Sequence, residues 1–173
     1  MLPKRTIVLG GAASGKSAWA ESLLENSNLT LTYVATGQAF DDETQIRVEI
    51  HQARRDARWT TVEAPLDLAP ALSALGPKDG VLIDCATMWL SNHMLEGNDI
   101  EIAQNALIDA LRNTSAPWVI VSKEVGHGIV PDNALARRFR EAQGRLNIAL
   151  AAEADLAVMV IAGLPQVLKG RFP

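Results

Sequence analysis

The segment best equipped for chemistry is Gly10-Gly11-Ala12-Ala13-Ser14-Gly15-Lys16-Ser17. It meets the pattern G-x-x-x-x-G-K-[ST] at every fixed position. Glycines let the main chain approach an anion, and N–H groups at the start of a following helix point at it. Lys16 would bridge the β- and γ-phosphate oxygens of a nucleoside triphosphate, and the Ser17 hydroxyl would ligate Mg2+. Such a site also needs an acid for the metal. Asp84 closes the apolar run Val81-Leu82-Ile83 and suits that role, directly or through water. The competing role for Asp84 is to cap the next turn.

A second group lies on a predicted helix, Asp42–Arg55, with Asp41 as its N-cap. Ile46, Ile50, Ala53 and Ala57 make its apolar face. Arg47, His51 and Arg54 share another face, rotated by about 100°. Two guanidiniums beside His51 would disfavour imidazolium and leave a neutral, nucleophilic ring. They could also grip a triphosphate. A neutral imidazole there can attack phosphorus and form a phosphoramidate. The other reading is a solvated charged face with an incidental histidine. Spacing leaves both open.

The elements that must position these groups alternate. Thr6–Leu9, Leu31–Ala35, Trp59–Val62, Val81–Asp84, Trp118–Ser122 and Leu156–Ile161 read as strands. Lys16–Leu24, Leu66–Leu75, Ile100–Arg112 and Ala134–Ala152 read as helices, as does the stretch after Asp84. Ala18, Trp19, Leu23 and Leu24 would face inward from the first. Leu135, Phe139, Ala142, Leu146 and Leu150 would form the stripe of the last. Strands without clean alternation, separated by helices, predict an α/β fold with a mostly parallel sheet covered on both faces. Such sheets bind ligands beyond the carboxyl ends of their strands, where every group above falls.

Composition bounds the class. The chain has 173 residues, 48% hydrophobic and 21% charged, which suits one globular domain over residues 1–173. A net charge of −4, without a clustered basic stripe, argues against a nucleic-acid binder. Leu156–Pro165, the longest apolar stretch near the C-terminus, is about half of what a bilayer span needs. Cys85 is the single cysteine, so no internal disulfide forms; with no leader-like segment before the loop, a cytoplasmic location is expected.

The chain resembles the bifunctional adenosylcobinamide kinase / adenosylcobinamide-phosphate guanylyltransferase family of cobalamin biosynthesis along nearly its whole length. The likeness is carried by the loop at 10–17, Tyr33-Val34-Ala35-Thr36, Asp42-Glu43, Arg47-Val48-x-x-His51 and Arg54-Arg55. It continues through Trp59-x-Thr61-x-Glu63, Asp84-Cys85-x-Thr87-x-Trp89-Leu90-Ser91-Asn92 and Glu124-Val125-Gly126-x-Gly128. It ends with Gly144-x-Leu146-Asn147 and Gly163-Leu164-Pro165-x-x-x-Lys169.

The resemblance implies a P-loop fold with a RecA-like sheet, a homotrimer and two reactions. A nucleoside triphosphate, ATP or GTP, phosphorylates adenosylcobinamide. GTP then guanylylates His51, and GMP passes to adenosylcobinamide phosphate. It further implies that Thr36-Gly37-Gln38 contacts nucleotide, that Arg54 or Arg55 steadies departing pyrophosphate, and that Glu63 accepts from guanine or ribose. Glu63 could instead be a plain surface acid. Two positions depart from the family pattern: Lys123 stands where Asn is usual, and Ala13 replaces a common Arg.

Other residues read more plainly. Cys85 is expected in the core, His93 at the surface or an interface, and Trp19, Trp59, Trp89 and Trp118 in the core or an interface. The glycines of Glu124-Val125-Gly126-His127-Gly128 mark a tight loop, beside a ligand or not. A single-activity P-loop kinase and a nucleotide-dependent RecA-like regulator are the alternatives. The Arg47–His51 helix weighs against the first and the negative charge against the second.

Overall fold

The computed structural model describes residues 2–37 and 57–172. The helix expected over Asp42–Arg55 therefore lies outside the described residues, and with it Gln38, His51, Arg54 and Arg55. Among the described residues, seven strands form one sheet in the order β3-β2-β4-β5-β1-β6-β7. They are β1 Arg5–Gly10, β2 Thr30–Ala35, β3 Trp59–Glu63, β4 Asp79–Asp84, β5 Trp118–Lys123, β6 Leu156–Ile161 and β7 Leu164–Lys169. All neighbouring pairs are parallel except β6–β7. Among the described residues the helices are α1 Lys16–Glu25, α2 Ala69–Ser73, α3 Ala86–Leu95, α4 Ile100–Asn113 and α5 Ala134–Glu153.

Period-two alternation divides the core. Ile7, Leu9, Val81, Ile83, Trp118 and Ile120 pack with α2 to α5. Val8, Leu82, Val119, Val121 and Val158 pack with Ala20 and Leu24 of α1. Both sheet faces are thus covered, and the α/β reading stands.

Several element details differ from expectation. α1 buries Lys16, Ala20, Glu21 and Leu24, whereas Ala18 is exposed and Trp19 and Leu23 are half-buried. α2 is only one turn and a half, because Pro70 suits just the first turn and Asp67, not Leu66, receives the Ala69 N–H. The α5 face includes Gln143 and Asn147, while Leu135 is 51% exposed.

β7 is absent from the sequence reading altogether. It returns from β6 through Ala162-Gly163, whose φ values of 53° and 76° are those of a two-residue hairpin turn. Alanine in the first turn position hides the usual Asn-Gly signal, and Pro165 is tolerated because β7 is an edge strand.

Candidate active site

β1 ends at Gly10 and α1 begins at Lys16, so residues 11–15 form a tight loop at the carboxyl edge of the sheet. Two of its glycines are required on steric grounds. A Cβ at Gly10 would overlap the Ser14 hydroxyl and lie 2.7 Å from the Val160 carbonyl oxygen. Gly15 caps α1 with φ 92°, and a Cβ there would stand 3.1 Å from Gly163 Cα. Ala13 also takes a left-handed φ, 51°. Alternating hands of this kind turn successive N–H groups to one side, which makes an anion-binding concavity. The β6–β7 turn props it from behind, with the Gly163 N–H donating to the Ser14 carbonyl at 2.8 Å. Ser14 Oγ is buried with no hydrogen-bond partner.

Lys16 is 7% exposed, and its ammonium donates to the Gly11 carbonyl at 2.8 Å. Burial holds its pKa below the ordinary lysine value; Lys123 lowers it further, and Asp84 pulls the other way. A phosphate would replace the Gly11 carbonyl as partner and favour the charged ammonium. Ser17 follows on the first turn of α1 and is half-buried.

Asp84 ends β4, two strands from β1, and Cys85 follows through a cis peptide bond. Thr36, at the end of β2, ties this corner together. Its hydroxyl accepts from the Cys85 N–H and donates to the Cys85 carbonyl, each at 2.7 Å. Thr36 is fully buried. The hydroxyl is spent on this exchange, so Thr36 orients the chain that leads to exposed Gly37. Asn92 of α3 donates to the carbonyls of Thr36 and Pro65, at 2.8 and 2.9 Å. Glu63 lies at the same edge, paired with Ala35 and exposed.

Cys85 is 5% exposed, and its sulfur accepts the Met88 N–H as the N-cap of α3. Burial first, then Asp84, push its thiol up to about 11, which suits a core group and not a nucleophile. His93 is held between the Leu66 carbonyl, 3.2 Å, and Asn98, 3.0 Å, and leans on Trp89.

Sequence reasoning passed over the polar support behind the edge. Ser122 donates to Asn147 at 2.6 Å, and Gln143 donates to both, at 3.0 and 2.9 Å. Thr87 accepts the Lys123 N–H at 2.8 Å, and Asn147 donates to the Lys123 carbonyl at 3.2 Å. The available signal was polar side chains at inward positions of apolar helices.

No group of three or more His, Cys, Asp or Glu side chains among the described residues forms a metal cage. Mg2+ does not need one: one carboxylate, a hydroxyl, waters and substrate phosphates suffice. Ser17 and Asp84 are a hydroxyl and a carboxylate of the kind such a donor set requires.

The family model described as cobinamide kinase / cobinamide phosphate guanyltransferase matches residues 6–168. The chain belongs to this family. The bifunctional adenosylcobalamin biosynthesis protein CobP of Pseudomonas aeruginosa is 40% identical over 169 residues, covering 96% of this chain and 98% of its own length. CobU of Escherichia coli K12, of the same description, is 39% identical, covering 94% and 98%.

Solved structures share the fold at low identity. An ATPase of a type III secretion system superposes with a TM-score of 0.62 at 12% identity, over 95% of this chain and 57% of its own. A structure from Pyrococcus horikoshii OT3 gives 0.53 at 9%, over 99% and 89%. The chain thus shares the fold of that ATPase.

Proposed function

We propose that this chain phosphorylates adenosylcobinamide with a nucleoside triphosphate and then transfers GMP from GTP to adenosylcobinamide phosphate, giving adenosylcobinamide-GDP. The family match over residues 6–168 carries the reading. The loop geometry supports its first requirement, a triphosphate site. The N–H groups of residues 11–15 and the Lys16 ammonium hold the phosphates. Ser17 and Asp84 would hold Mg2+, which screens phosphate charge when bound.

In the kinase step the substrate hydroxyl attacks the γ-phosphorus, and the bond to the β-phosphate oxygen breaks. Lys16 remains on the β/γ oxygens throughout. In the second step a ring nitrogen of His51 attacks the α-phosphorus of GTP. The bond to the β-phosphate oxygen breaks, pyrophosphate leaves, and a phosphoramidate forms. Arg54 or Arg55 stabilises the departing charge. An oxygen of adenosylcobinamide phosphate then attacks the same phosphorus, and the P–N bond breaks. Thr36-Gly37-Gln38 serves as the nucleotide-contact segment that the family resemblance implies, and Glu63 accepts from guanine N–H groups or ribose hydroxyls.

The protein works as one domain, as a homotrimer, in the cytoplasm, without nucleic acid. No described helix is long and apolar enough to cross a membrane.

The test is covalent labelling. Incubation with Mg2+ and GTP labelled on the α-phosphate, followed by denaturation, should leave acid-labile, base-stable label on wild type and none on His51→Ala. Unlabelled but kinase-active wild type would sink the histidine step. Sedimentation at about three times the 18.6 kDa chain mass would support the trimer, and a monomer would refute it.

A further inference from the structure

β4, β5 and β1 are neighbours, and their last residues are Asp84, Lys123 and Gly10. Gly10 and Lys123 are register partners, as are Asp84 and Val121. Alternation decides which face each side chain takes. Leu82, Val119 and Val121 pack against the α1 side, whereas Ile83, Ile120 and Ser122 point to the other, Ser122 meeting Asn147. Asp84 and Lys123 therefore leave the sheet on the α1 face, where Lys16 stands.

The backbone of Lys123 is also anchored on both sides. Thr87 takes its N–H and Asn147 bonds its carbonyl, and the next N–H, of Glu124, donates to the Gly10 carbonyl at 3.1 Å. The side chain itself is half-buried. Lys123 at the end of β5 and Lys16 after the end of neighbouring β1 lie on the same face of the sheet, and two ammonium groups so placed repel. A polyanion between them removes the repulsion.

We infer that Lys123 is a second phosphate-binding cation of the cradle, placed by the end of β5 to contact the nucleotide's polyphosphate and so favour tri- over monophosphates. This rests on the reading of residues 10–17 as the nucleotide site.

Lys123→Met keeps the main-chain bonds and removes the charge. Titration calorimetry of wild type, Lys123→Met and Lys123→Arg with GTP and GMP tests the proposal. GTP affinity of Lys123→Met should fall about tenfold or more, GMP affinity by less than about twofold, and Lys123→Arg should restore binding. The salt dependence of GTP binding should weaken in the Met variant. Its melting temperature without nucleotide should equal or exceed that of wild type, which a purely structural role would not produce. GTP affinity within about twofold of wild type, or equal losses for GTP and GMP, would overturn the inference. Wild type that binds no GTP would overturn the parent reading with it.

Discussion

Lys16 shows how a single residue is poised at a cost to the fold. Its pKa is lowered in the folded chain from 10.5, by burial and then by Lys123. Below the lowered folded value both states carry the proton, and the folded state alone bears the penalty. Between that value and 10.5 the folded state releases its proton first, so stability rises with pH across this window. Lys16→Met should therefore be more stable than wild type at neutral pH without nucleotide, with the advantage shrinking as pH approaches 10.5. Thermal melts from pH 7 to about 10 measure this, and phosphate binding by the same variant should be lost.

At the scale of elements, the site depends on supports that never touch a ligand. The Ser122–Asn147–Gln143 group fixes α5 to the end of β5. Asn147→Ala leaves buried Ser122 and Gln143 short of a partner and frees the Lys123 carbonyl. It should cost about 1–3 kcal/mol in urea unfolding. On the other side, the β6–β7 turn backs the loop through Gly163 and Ser14. Ala162 occupies a left-handed φ there, at 53°. Ala162→Asn, which tolerates that region, should stabilise by up to about 1 kcal/mol with nucleotide affinity unchanged. Gly10→Ala should do the reverse: its Cβ meets Ser14 and the Val160 carbonyl, so both stability and GTP binding should fall. Calorimetry on the two variants separates turn from cradle.

Across the whole molecule, one edge of the sheet carries the site, and binding there should report on the fold. Mg2+ with GTP at about a hundred times its Kd should stabilise the chain by about 2.7 kcal/mol. For a chain of 173 residues that is an upward shift of the melting temperature by about 5–10 °C. GMP at the same concentration should shift it far less, and an unchanged melt with GTP would contradict the nucleotide site.

The loop at 10–17, the Asp84 strand and the α/β alternation were legible in the sequence by itself, because each is local: a fixed spacing, an apolar run with an acid at its end, a change of period. The family pattern is likewise a matter of residue order, and it alone named the reaction. Only the tertiary structure decided which strands are neighbours. That choice brings Asp84, Lys123 and Gly10 to adjacent strand ends and turns the first two toward Lys16. It also added β7, whose turn signal was masked by Ala162, and it showed the Thr36 hydroxyl tied to Cys85 across neighbouring strand ends. The inner faces of α1 and α5 hold most of the expected apolar residues, but not Ala18 or Leu135, and they include polar ones for the same reason. Glu21, Gln143 and Asn147 are polar, and their burial depends on partners that lie far away along the chain.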